Sequence, residues 1–287
     1  MNVRAKKKAN RNNAISVTAV NSDYLTDEEY QTYWLKLEGL RKDISESLEL
    51  NTGMKILDVG TGWGLFAIEM AKHLKEGEIV GIDITFEDVN MARKLAKDAR
   101  IVGIVSILKM DAVKLSFADN CFDLATSFLG MRDIHMTRGK KGVRKAVEEM
   151  IRVVKPNGKI VLCVTPPEDM ETKDRKIAVK LEGKIFGAES MPKKFYIDIF
   201  GENNVVLRET RAFLTNKKLT AGQAKTELRE GIEIARKIYG KKVPSFKEVW
   251  DRYEKDIETV GYGMYSKIMM LAAQKLGVKR SSCCLKV

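Results

Sequence analysis

The run Ile56-Leu57-Asp58-Val59-Gly60-Thr61-Gly62-Trp63-Gly64 confines this chain to few folds, because nine residues read as a buried strand, a glycine turn and the start of a helix. Glycine at every second position lets the backbone approach a ligand with no Cβ between them, and the following helix offers unpaired amides at its N-terminus. The combination implies a nucleotide-binding corner. A dinucleotide loop has the spacing G-x-G-x-x-G. Here the third glycine, Gly64, comes one residue early and Leu65 stands where it should be, which argues against a nicotinamide cofactor.

Strand and helix patterns alternate after this corner. Glu78 to Asp83 reads as a second apolar strand ending in a carboxylate, Val105 to Leu108 as a third, and Cys121 to Phe128 as a fourth. Arg152 to Leu162 reads as a helix end, a Pro156-Asn157-Gly158 turn and a fifth strand, Val205 to Leu214 as a sixth, and Tyr262 to Leu271 as a seventh. Residues 170 to 200 contain helices, and Thr220 to Tyr239 and Ser245 to Thr259 form two more between the last strands. Such alternation predicts a parallel, doubly wound sheet with ligands at the carboxyl ends of its strands. Near the N-terminus, Thr26 before Asp27, Glu28 and Glu29 reads as a capped helix start. The stripe Tyr30, Tyr33, Trp34, Leu37, Leu40, Ile44 and Leu48 then has the spacing of a helix face turned to the core.

The spacing D-x-G-x-G-x-G after an apolar strand resembles motif I of the class I S-adenosylmethionine (SAM) dependent methyltransferases, and the later strands follow in that family's order over residues 50 to 165. The resemblance implies a seven-stranded, mostly parallel sheet with N-terminal helices and a helical insertion between the last two strands. It implies SAM as cofactor and no metal. Asp58, Gly60, Thr61, Gly62 and Gly64 would form the glycine loop, Asp58 organising it and facing the SAM amino group. Asp83 and Ile84 would take the ribose, and Asp111 and Ala112 the adenine. Phe128 would close the fourth strand beside the methyl group, and Trp63 either covers the cofactor or packs on the next helix. For chemistry the candidates are Phe128, as a stacking ring, and Asp133, as the group that orients an acceptor; His135 reads as structural.

Composition bears on the acceptor. The chain of 287 residues carries a formal charge of +12, a field that favours polyanions. Basic residues cluster at Arg4, Lys6, Lys7, Lys8 and Arg11, at Arg138, Lys140, Lys141, Arg144 and Lys145 after the fourth strand, and at Lys241-Lys242, so a phosphate track is expected. Lysine and glutamate in place of glutamine suggest a thermophile. Four cysteines without a paired framework suggest a reduced cytoplasm, and neither a signal peptide nor a membrane span is evident.

The expected layout is a basic flexible arm over 1–22, helices over 23–50, a SAM-binding core over 51–214, a lid or substrate rim over 215–260, and a last strand with a basic tail over 261–287. The expected function is methylation of RNA, with ribosomal RNA or the small ribosomal subunit as partner and the N4 amine of cytidine as the narrowest choice; the overall look is similar to archaeal RNA-modifying enzymes. The alternative is a small-molecule methyltransferase, because Gly130-Met131-Arg132-Asp133-Ile134 resembles the Gly-Leu-Arg-Asn-Val stretch of the quinone-biosynthesis enzymes.

Overall fold

The computed structural model describes residues 23–31, 37–215, 217–239 and 243–277. The basic arm 1–22, Tyr33, Trp34, Lys241, Lys242, Cys283 and Cys284 lie outside these.

Seven strands form one sheet: β1 (Met54–Val59), β2 (Gly77–Asp83), β3 (Val105–Lys109), β4 (Phe122–Phe128), β5 (Val154–Val164), β6 (Val205–Leu214) and β7 (Lys267–Lys275). Their order is β3-β2-β1-β4-β5-β7-β6. Strands β1 to β5 pair in parallel, while β7 runs antiparallel to both β5 and β6. Both faces of the central strands are covered, so successive residues such as Ile56 and Leu57 are equally buried; such strands read as continuous apolar runs.

On one face, Leu57, Val59 and Ile82 pack with the long helix α5 (Gly130–Val153) and with α7 (Lys193–Glu202). On the other, Ile56, Ile79 and Leu124 pack with α2 (Glu38–Ser47), α3 (Leu65–His73) and α4 (Phe86–Asp98). A third core is helical. It joins α6 (Lys173–Phe186), α8 (Ala221–Tyr239), α9 (Phe246–Val260) and the segment around Leu25. Ser245 and Glu248 form a capping box at the start of α9, and Thr26 and Glu29 exchange the same bonds at the start of α1 (Asp27–Gln31).

One departure from the sequence reading, and one break within a helix, have local causes. The seventh strand starts at Lys267, five residues later than its pattern predicts. Before it, Tyr262 makes only a lone bridge to Leu219, and Tyr265 turns the chain at a positive φ of 53°. Helix α5 is broken at Gly139, whose φ of 64° and ψ of −174° are not helical. Its first part, residues 130 to 138, therefore lies at its own angle over the carboxyl ends of the strands.

Candidate functional site

The glycine corner is held by Asp58, which is 1% exposed at the end of β1. Its carboxylate accepts hydrogen bonds from the Thr61 hydroxyl at 2.6 Å and the Thr126 hydroxyl at 2.9 Å. Burial pushes the Asp58 carboxyl up to about 6, against the pull of those two hydroxyls. Gly60, Gly62 and Gly64 all have positive φ, the conformation that glycine adopts without strain. At Gly60 a Cβ would stand 3.0 Å from Gly130 Cα, because the start of α5 lies against the loop. At Gly62 a Cβ would meet nothing within 4 Å, so the loop faces open space. Gly64 serves packing: its Cβ would lie 3.1 Å from Ala92 Cβ in α4.

Two cavities flank this loop and share Gly60, Gly62, Asp88 and Asp133 in their walls. One, of about 340 Å³, is lined by Asp83, Ile84, Met110, Asp111, Ala112 and Arg138 among others. Asp83 accepts a hydrogen bond from the Gly62 amide at 3.0 Å and one from the Thr85 amide at 3.1 Å, which fixes its carboxylate at the mouth of the glycine turn. The Asp111 carboxylate is held by the Arg138 guanidinium at 2.8 Å and by the Val113 amide at 3.1 Å, so Arg138 stands between it and any base entering the cavity.

The other cavity, of about 360 Å³, is mainly apolar, with Leu37, Trp63, Leu65, Phe66, Phe128 and Leu129 in its wall beside Asp58, Thr61, Arg41, Arg132, Asp133 and Tyr265. Phe128 packs on Phe66 with ring centres 5.1 Å apart, and the Arg41 guanidinium lies 5.2 Å from its centroid. The ring is thus a wall, one face already met by a cation. Asp133 is open to solvent within the cleft. Desolvation by the surrounding walls of the cleft, with Asp83 and Asp88 nearby, pushes its carboxyl up to about 6 despite Arg132 beside it.

Sequence reasoning missed Arg41, Glu182 and Tyr265, and passed over Arg132. Arg132 is 9% exposed, pairs with Glu182 at 3.0 Å and donates to the Tyr265 hydroxyl. Burial raises the pKa of both Glu182 and Tyr265. Tyr265 in turn hydrogen-bonds Glu182, so the three form a closed, buried network. The Arg132 Nε is buried and has no partner among the described residues. The His135 Nδ1 lies 2.9 Å from the Gly187 carbonyl and 3.3 Å from the Glu189 amide, tying down that loop.

Among the described residues the expected phosphate track is not built. Arg138 pairs with Asp111, Arg144 with Glu202 at 2.6 Å, and Lys145 with Glu149 at 3.6 Å, while Lys140 lies over the Phe195 ring. These charges are largely answered from within the chain. Among the described residues no cluster of three metal-ligating side chains occurs, and no helix is long and apolar enough to cross a membrane.

Residues 56–158 match the methyltransferase domain family. The chain is 34% identical over 125 residues to a demethylmenaquinone methyltransferase of Desulfitobacterium hafniense, covering 43% of this chain and 47% of that protein; it spans about half the length of such curated relatives. Among solved structures, a putative methyltransferase from Bacillus halodurans aligns over 84% of this chain and 99% of its own, with TM-score 0.58 and 19% identity. A geranyl diphosphate C-methyltransferase from Streptomyces coelicolor aligns over 87% and 83%, with TM-score 0.56 and 12% identity. These relatives overturn the expectation of ribosomal RNA as acceptor and partner: those similar in sequence are named for quinone biosynthesis, and the alternative reading of Gly130 to Ile134 is the better one.

The residues present fit SAM. An open glycine loop lies between two cavities, with a fixed acid, Asp83, at the mouth of one and a buried acid, Asp58, beneath the turn. By this fold and the match over 56–158, the chain carries a class I, SAM-dependent methyltransferase domain.

Proposed function

We propose that the chain methylates a small, largely apolar aromatic acceptor of the quinol type, at a ring carbon, in the cytoplasm. The observation that carries this reading is the wall of the 360 Å³ cavity, apolar along Leu37, Leu65, Phe66, Phe128 and Leu129, with Arg132, Asp133 and Tyr265 among the polar groups that border this apolar part beside those of the glycine loop. A flat ring fits the apolar part, and its hydroxyl finds polar partners at one end. The free thiols of Cys121 and Cys163 suit a reducing compartment.

SAM, when bound, supplies an electrophilic methyl group on its sulfonium. The protein's task is to hold the acceptor in line and raise its nucleophilicity. Asp133, raised to about 6, is ionised at neutral pH yet basic enough to accept the hydroxyl proton of a quinol. As that proton leaves, electron density moves to the neighbouring ring carbon, which would form the new carbon–carbon bond as the methyl–sulfur bond of SAM breaks and S-adenosylhomocysteine leaves; the ring proton would then be lost to water, restoring the aromatic ring. Arg132 and Tyr265 orient the acceptor oxygen, and Asp58 and Asp83 hold the cofactor's two ends. The helices between β6 and β7 serve as a rim by supporting α6, which carries Glu182, and the turn that carries Tyr265.

The test is transfer of labelled methyl from SAM to a reduced naphthoquinone with a free ring carbon, followed by mass spectrometry. A product heavier by one methyl on the ring, with turnover insensitive to salt, is expected. Labelled SAM that binds while no quinol accepts the label would overturn the acceptor class and leave the cofactor assignment standing.

A further inference from the structure

Helix α6 has a second charged face that the site above does not use. Ile177, Leu181 and Ile185 turn into the helical core, and Glu182 reaches Arg132. Lys176, Lys180 and Lys184, spaced at four residues, are exposed along the outside and line a hollow of about 410 Å³ with Pro167, Met170 and Val179. Lys184 also lines a second hollow, of about 400 Å³, with Arg252 and Tyr253 of α9. The two hollows adjoin at Lys184.

Several cations near this face have an acidic partner among the described residues; Lys173, for instance, meets Asp256 at 2.6 Å, and Lys193 meets Asp169 at 2.8 Å. Among the described residues, none of Lys176, Lys180, Lys184 and Arg252 has one. Glu248, in the wall of the second hollow, is engaged in the cap of α9, and Glu189 is the acid bordering the first. Three of the four cations crowd one ring: Lys184 Nζ is 5.6 Å, Lys180 Nζ 5.9 Å and Arg252 5.7 Å from the Tyr253 centroid. Tyr253 is 6% exposed, and its hydroxyl is buried without a hydrogen-bond partner. Like charges held this close repel one another, and a buried hydroxyl left unpaired has a cost. An anion of high charge would relieve the first, and an oxygen reaching the hydroxyl the second.

We propose that this groove is a binding site for a phosphate or diphosphate group, separate from the methyl-transfer site. Lys180, Lys184 and Arg252 supply the charge, Lys176 extends it along the helix, and the Tyr253 hydroxyl is the donor at its wall. The group belongs either to a soluble phosphorylated metabolite or to a phospholipid headgroup.

The test titrates the full chain with pyrophosphate by calorimetry. In parallel it measures co-sedimentation with phosphatidylcholine vesicles, with and without phosphatidylglycerol. Lys180→Glu/Lys184→Glu is expected to weaken binding about tenfold or more, with SAM affinity unchanged. Lys140→Glu/Lys141→Glu alters net charge equally and is expected to leave binding intact. Binding of pyrophosphate identifies a soluble ligand; binding of anionic vesicles alone identifies a headgroup. Equal losses in the two double variants would mean a diffuse field, and absence of binding in every arm an idle groove; either result overturns the proposal.

Discussion

The two cavities beside the glycine loop are made in different ways. The side proposed for the cofactor is assembled from strand ends and the turns directly after them: Asp83 with Ile84, and Met110 with Asp111 and Ala112. Each is placed by the backbone of its own strand. The side proposed for the acceptor draws Leu37 and Arg41 from the cap and first turn of a helix before the core, Phe128 and Arg132 from its middle, and Tyr265 from the turn before the last strand, with Glu182 behind them. A cofactor is recognised by local geometry that the fold repeats; an acceptor is recognised by side chains that only the tertiary structure brings together.

This difference can be broken most forcefully at Arg132. Arg132→Met leaves Glu182 buried and unpaired and is expected to lower stability by about 3–5 kcal/mol, seen as an earlier thermal unfolding transition. Adding Glu182→Met should recover much of the loss while acceptor turnover stays low, because burying a charge alone is what costs. Full stability in the single variant would show that the network is not held as described.

Asp133→Asn is the sharper test of chemistry, since asparagine stands at this place in the Gly-Leu-Arg-Asn-Val stretch. Loss of a base is expected to lower kcat about a hundredfold. In the parent, kcat/KM should rise with pH as Asp133 ionises through about 6 and then level off, because the deprotonated form is the active one. The variant should lack that rise, and an unchanged profile would remove Asp133 from the chemistry.

On the cofactor side, Asp83→Ala removes the acid expected to meet the ribose, and with it the acceptor for the Gly62 amide. SAM affinity should fall about thirtyfold by calorimetry, the worth of one or two charge-assisted hydrogen bonds. Equal affinity would refute the ribose assignment. The smallest effect is expected from Lys140→Glu/Lys141→Glu, which should change neither SAM affinity nor quinol turnover.

The same contrast explains what the sequence disclosed. The glycine corner was legible because a turn with three positive-φ glycines is a local event. The seventh strand was misplaced because Tyr262 and Met264 are apolar enough to continue it, while the positive φ of Tyr265 that ends this reading leaves no compositional mark. Arg41, Glu182 and Tyr265 stayed hidden because no period or spacing links them. The basic run after β4 misled for a related reason. Its net charge is visible in sequence, but Asp111 and Glu202, which answer it, lie far along the chain. The pairs of Arg144 with Glu148 and Lys145 with Glu149 were in plain view at helical spacing.

Because β7 runs against its neighbours, its beginning rather than its end lies at the ligand edge of the sheet, and Tyr265 stands just before it. That strand enters between β5 and β6, both of which precede it in the chain. During synthesis, the glycine corner and its acids emerge long before the residue that completes the acceptor wall. On the assignment proposed above, the nascent chain acquires the means to hold a methyl donor first, and gains a place for something to methylate only when this last described strand arrives.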